Sequence, residues 1–312
     1  MQKDFPALAG IHAALLAWFA EAGRDLPWRR TRDPYQILVS EVMLQQTQVD
    51  RVIPKYHAFL AAFPTLEALA GAPTADVIKA WAGLGYNRRA INLQRTAQAV
   101  LRDHGGAFPR DMAALLALPG VGPYTAGAIA CFAFEQDVGF VDTNIRRVVQ
   151  RLLVGPEERE QASEADLLAL AAAAVPAGRG WAWNQAIMEL GALICTPAPA
   201  CWRCPLNAEC RAYAERRAAD EQVFSVPSEQ PRPRKLAERR EAPFAGSNRY
   251  YRGRAIDALR ALPAGQSLAL QALGPALKPD FAAHDRPWLD TLVAGLARDG
   301  LLVIEEDRVR LP

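Results

Sequence analysis

Two carboxylates stand in sequence contexts that favour opposite protonation states. Glu41 lies in the stretch S-E-V-M-L-Q-Q-T-Q-V over residues 40–49, where the flanking sequence is mostly apolar. A carboxyl group in an apolar cleft has a raised pKa and can donate a proton. Asp142 directly precedes a helical pattern, so we expect it to cap that helix and to stay ionised by accepting backbone N–H groups. Together they predict acid-assisted cleavage of a glycosidic bond through an oxocarbenium-like state.

Each carboxylate also has a purely structural interpretation. Glu41, Gln45 and Gln48 recur at helical spacing, as residues do on a solvent-facing polar stripe. Asp is a common helix cap whether or not it takes part in catalysis. For Asp142 the two interpretations are compatible, whereas for Glu41 the apolar flanks favour the catalytic one.

A glycine-containing turn at 118–126, L-P-G-V-G-P-Y-T-A, joins two helical patterns. Gly120 and Gly122 allow a tight turn, and Pro123 suits the first position of the following helix. The free amides of the two glycines, with the helix dipole behind them, predict an anion site. One DNA phosphate would fit there without any base being read. Taken alone, such a turn is common between helices.

Four of the five cysteines fall between residues 195 and 210. Their spacing is C-x5-C-x2-C-x5-C, which suits a [4Fe–4S] cluster or, as the alternative, zinc. The loop that they shape includes Arg203 and Arg211, which would face DNA phosphates. The fifth, Cys131, is predicted to be a buried core thiol. The metal-ligating set is Cys195, Cys201, Cys204 and Cys210.

Composition limits the class of protein before any motif is considered. The chain has 312 residues, 51% hydrophobic residues and a formal charge of only +2. This length suggests about two domains, and the apolar content excludes global disorder. No apolar run is long enough to span a bilayer, and 1–21 indicates an amphipathic helix rather than a signal peptide. We therefore expect a soluble cytoplasmic protein.

Helical patterns dominate the first 215 residues and predict an all-α body. One helix is expected from Pro34 to about Val52, and others at about 87–103, 124–134, 143–154, 163–174 and 182–194. Residues 216–248, with Pro227, Pro231, Pro233 and Pro243, are predicted to be a linker. Residues 249–312 suggest a separate small α+β domain, with two helices and then a β-hairpin formed by 301–304 and 308–311. Such a domain is either winged-helix-like or a plain appendage without nucleic-acid contact.

Five motifs, in order across residues 26–210, carry a family resemblance. They are S-E-V-M-L-Q-Q-T-Q-V, W-A-G-L-G-Y, L-P-G-V-G-P-Y-T-A-G-A, V-D-T-N-I-R-R-V and N-Q-A-I-M-E-L-G-A-L-I-C-T. The chain resembles A/G-specific adenine DNA glycosylases (MutY type) of the helix-hairpin-helix superfamily, in a short form without a Nudix-like domain. The resemblance implies a six-helix lobe over 31–138 and an iron–sulfur lobe formed by 1–30 and 139–215. It also implies removal of adenine mispaired with 8-oxoguanine or guanine, in base excision repair of double-stranded DNA.

The resemblance assigns roles to particular residues. It implies that Glu41 protonates N7 of adenine and that Asp142 stabilises the oxocarbenium ion, with Tyr124 and Asn144 in supporting catalytic positions. The base pocket would be lined by Trp28 and Arg29, with Gln185 hydrogen-bonding adenine. The expected DNA-binding residues are Gln45 and Tyr86, as wedges in the duplex, and Gly120 and Gly122 on its backbone. The cofactor implied is a [4Fe–4S] cluster on the four clustered cysteines.

The residue at position 124 distinguishes two classes of related enzymes. Glycosylase/lyases of the superfamily carry Lys there, whereas this chain has Tyr124. No lysine lies near the hairpin, so a Schiff base is unavailable there and we expect a monofunctional glycosylase. Tyr at this position also occurs in thymine/uracil mismatch glycosylases, the nearest alternative. A non-catalytic iron–sulfur DNA-binding protein is the alternative from another class, and it would not need both carboxylates. We expect a monomer associated with the nucleoid.

The sequence departs from the family pattern in three places. Thr143 stands where many adenine glycosylases have Gly. Residues 196–200 supply five residues in the first gap between cysteines, where the family has six. Residues 249–312 are too few for the Nudix-like domain that recognises 8-oxoguanine in many members. How the base opposite adenine is read therefore stays open at the level of sequence.

Overall fold

The computed structural model of the chain describes residues 8–219 and 244–312. This part is mostly helical with a few short strands at its C-terminal end, which confirms the predicted fold class. In chain order the helices are α1 (Leu8–Ala22), α2 (Pro34–Leu44), α3 (Val49–Ala62), α4 (Leu66–Gly71), α5 (Thr74–Ala80), α6 (Arg88–His104), α7 (Met112–Ala117), α8 (Pro123–Phe132), α9 (Thr143–Val149), α10 (Glu164–Ala173), α11 (Gly180–Leu193), α12 (Arg211–Ala218), α13 (Asn248–Arg260), α14 (Leu270–Leu277) and α15 (Arg286–Arg298).

The described residues form two compact units. The first unit contains 8–37, 110–116 and 121–219, and the second contains 38–109, 117–120 and 244–312. Two helices, α2 and α7, cross from one unit to the other along the chain. The division differs from the expected lobes chiefly because α8 belongs to the first unit and residues 244–312 belong to the second.

The first unit has a core built from α1, α8, α9, α10 and α11. Ile11 and Leu15 of α1 and Trp183 of α11 are almost completely buried in it. Helices α9 and α11 approach closely because Gly191 has no side chain: a Cβ there would lie 2.7 Å from Cβ of Asn144. This close packing fixes the start of α9, and with it Asp142, beside α11.

The second unit has a core to which both of its long segments contribute. Ile78 of α5 and Ile91 of α6 are buried in one cluster with Ile256 of α13 and with residues of α14 and α15. The guanidinium of Arg260, at the end of α13, donates to the carbonyl of Ile78 through Nε at 3.0 Å and Nη2 at 2.8 Å. The small domain predicted over 249–312 therefore shares its core with residues 78 and 91.

A small antiparallel sheet completes the C-terminal segment. Strands β1 (Leu268–Ala269), β2 (Val303–Glu305) and β3 (Arg308–Arg310) lie in the order β1-β3-β2, with Ile304 opposite Val309. The predicted hairpin is therefore present, with Glu306 in the left-handed conformation at its turn. Strand β1 was not predicted, because two residues are too short to show a period of two.

The prediction of a single helix from Pro34 to about Val52 is wrong, because the structure has two helices there. Helix α2 ends at Leu44 and α3 begins at Val49, and Gln46 between them has a φ of 54°. Gln45 therefore lies in the connecting turn and Gln48 precedes α3, so neither continues a polar stripe from Glu41. The helical spacing of apolar residues continues through this turn, so the sequence pattern does not reveal where α2 ends.

Other boundaries need smaller corrections. The helix predicted over 143–154 is α9 followed by a π-helical segment at Gln150–Val154, and α12 runs into the start of the predicted linker. The four prolines of that linker lie outside the described residues. No helix among the described residues is long and apolar enough to cross a membrane.

Candidate active site and nucleic-acid interface

Asp142 caps α9, as predicted from the sequence. Its Oδ1 accepts the backbone N–H of Ile145 at 2.6 Å, and its Oδ2 accepts from Nδ2 of Asn144 at 3.3 Å. Burial raises the pKa of Asp142 above its ordinary value, although the hydrogen bonds from Ile145 and Asn144 and the charge of Arg147 act in the opposite direction. Desolvation therefore outweighs the cap in setting the direction of this pKa shift.

Arg147 connects Asn144 to the cysteine-containing segment. Its Nη2 donates to Oδ1 of Asn144 at 2.8 Å and to the carbonyl of Gly191 at 2.7 Å, and its Nε donates to the carbonyl of Cys195 at 2.5 Å. One guanidinium thus orients the amide that contacts Asp142. Sequence reasoning missed this residue, although it lies in the V-D-T-N-I-R-R-V motif.

Two of the predicted base-pocket residues, Arg29 and Gln185, lie in contact within an ion-pair network. Arg29 donates through Nε to Oε1 of Gln185 at 2.7 Å and through Nη2 to Oε2 of Glu189 at 2.8 Å. Arg24 donates through Nε to Oε1 of Glu189, also at 2.7 Å. Gln185 and Glu189 are one turn apart on α11 and so share a face. Trp28 lies in the 3-10 turn Pro27–Arg29 and is 6% exposed.

Glu189 was not identified from the sequence, although it is the carboxylate of this network and is 1% exposed. Burial opposes its ionisation, but the hydrogen bonds from Arg24 and Arg29 outweigh that effect and lower the pKa of Glu189 to about 2. The carboxylate therefore holds Arg29 in place, and Arg29 in turn orients the amide of Gln185.

Tyr124 lies in the first turn of α8 and is partly exposed. Its ring meets Phe140 edge to face at 5.4 Å between centroids, and its hydroxyl lies 3.9 Å from Sδ of Met188. The described residues of the first unit contain no lysine. The polar group that α8 carries at position 124 is therefore a tyrosine hydroxyl and not an amine.

The glycine turn at 118–126 contains one glycine in a left-handed conformation and one at a helix start. Gly120 has a φ of 77°, and a Cβ there would lie 2.7 Å from Cβ of Asn92, so a side chain is excluded. Gly122 caps α8 and is exposed, with nothing within 4 Å of a Cβ built there. Pro123 follows as the first helical residue, as predicted.

Glu41 lies within α2 and is 4% exposed. Its helical neighbours Leu38 and Val42 are buried in the second unit. The solvent-facing interpretation of this carboxylate is therefore wrong, and Glu41 has the buried setting expected of a proton donor.

Two loops in the second unit carry Gln45 and Tyr86, the predicted wedge residues, and Arg89 holds both loops. Its Nη1 donates to the carbonyls of Val42 at 2.7 Å and Gln45 at 2.6 Å, and its Nη2 donates to that of Leu84 at 3.0 Å. Burial lowers the pKa of Arg89 to about 10. Tyr86 is 44% exposed with a φ of 45°, whereas Gln45 is half-buried. Sequence reasoning missed Arg89.

The four clustered cysteines line one small cavity in the first unit. Nη1 of Arg151 lies 3.7 Å from Sγ of Cys195 and donates to the carbonyl of Thr196 at 2.7 Å. Burial and the neighbouring cysteine charges raise the pKa of Cys201 to about 12. Within 8–219 and 244–312, no group of three His, Cys, Asp or Glu side chains stands close enough to hold a metal ion. The lining cysteines are Cys195, Cys201, Cys204 and Cys210, all free thiols.

The fifth cysteine is fully buried, as predicted. Cys131 lies on α8, and Nδ2 of Asn184 donates to its Sγ at 3.3 Å. Burial raises the pKa of Cys131 to about 12, so its thiol is protonated and unreactive at neutral pH.

Comparison with known proteins places these features in a family. A model of the HhH-GPD superfamily base excision DNA repair proteins matches residues 39–172. An adenine DNA glycosylase of Mycolicibacterium smegmatis is 43% identical over 284 residues, covering 90% of each chain. The human adenine DNA glycosylase is 42% identical over 234 residues, covering 72% of this chain and 42% of the human one.

A solved structure supports the same fold. The structure of a thermostable thymine-DNA glycosylase superimposes with a TM-score of 0.62 at 34% identity, covering 67% of this chain and 97% of that one. The chain belongs to the adenine DNA glycosylase family.

Proposed function

We propose that this protein hydrolyses the N-glycosidic bond of adenine mispaired with 8-oxoguanine or guanine in double-stranded DNA, as a monomer acting at the nucleoid. The observation that carries the proposal is the burial of Glu41, at 4% exposure, inside the segment that the family model matches. An ionisable group is expensive to bury, so it persists where it has a task. The similarity to adenine DNA glycosylases over 90% of the chain supports adenine as the base removed.

In this proposal the two carboxylates divide the chemistry. Glu41 gives a proton to N7 of adenine, the bond between C1′ and N9 breaks, and adenine leaves with the bonding electron pair. The positive charge left on the sugar is stabilised by the carboxylate of Asp142, whose orientation Asn144 and the Ile145 N–H fix. Water then adds at C1′ and gives up a proton to the now ionised Glu41, which restores the acid and leaves an intact abasic site. Tyr124 supports the same step.

The base pocket and the DNA contacts follow from the remaining positions. Trp28 stacks against the extruded adenine, and Gln185, oriented by Arg29, hydrogen-bonds its edge. Gln45 and Tyr86 fill the space that the base vacates in the duplex, which the exposure of Tyr86 supports. Gly120 and Gly122 bind phosphate oxygens through backbone amides.

We also propose that the four clustered cysteines hold a [4Fe–4S] cluster. Thiols spread around the wall of one shared cavity suit a polynuclear cluster, and N–H groups of residues 206, 212 and 213 already point at the sulfurs of Cys204 and Cys210. The cluster would cross-link this segment when bound. Broad visible absorption with iron in the purified protein is expected; a colourless protein with stoichiometric zinc would overturn this assignment.

A thymine/uracil mismatch glycosylase is the second candidate function. The 34% identity to a thymine-DNA glycosylase over 67% of the chain favours it. Both candidates are monofunctional, because Tyr124 occupies the position of the lyase amine and cannot form a Schiff base.

The deciding experiment measures base release from duplexes carrying A opposite 8-oxoguanine, A opposite guanine, and T or U opposite guanine. We expect release of adenine only, and strand breaks only after heat or alkali. Glu41→Gln should remove the release while leaving duplex binding intact. Release of thymine without adenine would replace the first proposal with the second, and strand cleavage without heat or alkali would refute the monofunctional assignment.

A further inference from the structure

A large groove of the second unit contains none of the proposed catalytic residues, although its lining includes Tyr86, one of the proposed DNA-binding residues. It encloses about 900 Å³, within the range of sites that take small organic ligands. The loop that carries Tyr86 forms one wall, and the start of α13 together with Phe244 forms the other. We call it the arginine groove because five of its lining residues are arginines: Arg51, Arg88, Arg89, Arg249 and Arg252.

Two aromatic rings of the groove, one from each wall, present flat surfaces to solvent. Tyr86 is 44% exposed and Phe244 is 55% exposed. The guanidinium of Arg249 lies 5.5 Å from the centroid of the Tyr86 ring and 5.0 Å from that of Phe244, and its Nη1 donates to the Tyr86 hydroxyl at 2.6 Å. Two rings and a planar cation therefore stand together, which is the composition of a stacking platform for bases.

The groove also concentrates positive charge. Asp299 holds Nη2 of Arg252 at 2.5 Å and Nη1 of Arg88 at 3.4 Å. Each guanidinium carries five N–H donors, so both retain capacity for a phosphate. Asp299 is the single carboxylate among the described lining residues, against five arginines. The groove thus attracts an anion, and Asn92 and Asn248 add amides that can contact a base edge.

We propose that the arginine groove binds one unstacked nucleotide of a DNA strand, with its base against Tyr86 and Phe244 and its phosphate on Arg88 and Arg252. The proposal rests on the proposed function for DNA as the partner, and it gives the C-terminal segment a direct part in reading the duplex. An acidic peptide would match the positive charge of the groove, but it would not use the two aromatic rings or the amides of Asn92 and Asn248. The composition of the lining therefore favours a nucleotide. The nucleotide belongs either to the strand with adenine or to the opposite strand.

Gly253 offers a test that leaves the charge unchanged. It lies within α13, lines the groove and has nothing within 4 Å of a built Cβ. Gly253→Leu fills the groove and improves helix propensity, so folding should be retained, and Gly253→Ala is its matched control. Arg249→Ala removes the guanidinium between the rings. Its control is Arg254→Ala on the same helix, whose guanidinium contacts the Tyr250 hydroxyl and the carbonyl of Ala276.

The measurement is the Kd of the full chain, as purified, for a duplex with a tetrahydrofuran abasic analogue, which has no base to release. Gly253→Leu and Arg249→Ala should each raise the Kd about tenfold, since stacking a base is worth ~1–3 kcal/mol. The two controls should stay within about twofold of the unaltered chain. Unchanged Kd values for both groove variants would overturn the proposal. A groove-dependent affinity for poly-glutamate without one for DNA would overturn it in favour of an acidic peptide.

Photocrosslinking identifies the strand. A 5-iodouracil is placed in the strand with the abasic analogue or in the opposite strand, and the crosslinked peptide is mapped by mass spectrometry. Crosslinks to peptides containing Tyr86 or Phe244 in one arm assign the source, and crosslinks elsewhere in both arms contradict the proposal. If the chain releases no adenine yet the Kd effects hold, the proposed function fails and the groove stands. If the chain releases adenine but the Kd values do not change, the proposed function stands and the groove proposal fails.

Discussion

At the scale of single residues, Asp142 shows how burying a carboxylate reduces the stability of the fold that holds it. Burial raises its pKa, so the native state keeps its proton to a higher pH than the unfolded chain does. As pH rises from the unfolded to the folded pKa, the free energy of unfolding falls, and above both values the ionised group costs stability. The protein carries this cost at neutral pH, where the proposed chemistry needs the anion.

Asp142→Asn should therefore separate stability from activity. Asn caps a helix as well as Asp does, and it carries no charge to desolvate. We expect the free energy of unfolding at pH 7 to stay unchanged or to rise, and base release to fall on the order of 10³-fold. Urea unfolding and single-turnover base release check this. Substantial turnover in the variant would remove Asp142 from the mechanism.

Glu189 has the opposite relation to pH. Its pKa of about 2 in the native state lies below the ordinary value of 4.5, so its stabilisation is complete above about pH 4.5 and is lost as pH falls towards 2. The shift corresponds to about 3 kcal/mol. Glu189→Gln should lower the free energy of unfolding by about that amount at pH 7 and by much less near pH 2.5. Equal losses at both pH values would show that packing, and not charge, is what the substitution removes.

At the scale of elements, Arg89 determines where α2 ends. Its guanidinium caps the C-terminal end of α2 from a distant part of the chain. It donates to the carbonyls of Val42, Met43 and Gln45, and also to the carbonyls of residues 84 and 85. Unsatisfied helix carbonyls are costly when buried. One side chain therefore fixes both loops that carry Gln45 and Tyr86.

Arg89→Met should preserve the aliphatic packing and lose these hydrogen bonds. We expect a loss of stability of about 2–4 kcal/mol, since several buried carbonyls lose their donors. Hydrogen exchange should accelerate at residues 44–48 and 83–86 and stay unchanged in α11. Arg89→Lys should recover only part of the protection, because an ammonium cannot reproduce the planar fork. Unchanged exchange at both loops would show that Arg89 does not hold them.

These elements also show what the sequence could predict. Asp142 was identified as a cap because a cap acts on residues directly after it, and the hairpin near residue 306 was found because its turn and strands are contiguous. The end of α2 was missed because its cap lies 47 residues away from Val42. Glu189 was missed because its partners, Arg24 and Arg29, lie 165 and 160 residues away. The direction of the Asp142 pKa depends on burial, which no local pattern reveals.

At the scale of the whole molecule, the second unit is built from two segments that are far apart in the chain. Ile78 and Ile91 belong to the same buried cluster as Ile256, Leu273 and Leu289. Residues 38–109 consequently depend on 244–312 for part of their core. A short C-terminal segment of this kind supports stability in addition to any contact that it makes with DNA.

Ile256→Ala tests this dependence. The side chain is fully buried, so the substitution should cost about 2–5 kcal/mol. Hydrogen exchange should then accelerate in α5 and α6 together with α13, because all three lose a shared core. Loss of protection confined to 248–312 would mean that the C-terminal segment unfolds independently. Leu168→Ala, at an exposed position of α10, is the control and should change neither stability nor exchange.

The shared core also imposes an order on biosynthesis. Residues 78 and 91 leave the ribosome long before residue 256 is made, and at 5–20 residues per second the delay is roughly ten to thirty seconds. During that time their apolar side chains are exposed and can contact neighbouring nascent chains. Aggregation therefore competes with folding. Slower translation after α6 would lengthen the exposure, so this protein's yield in cells should depend on chaperones that shield its N-terminal half.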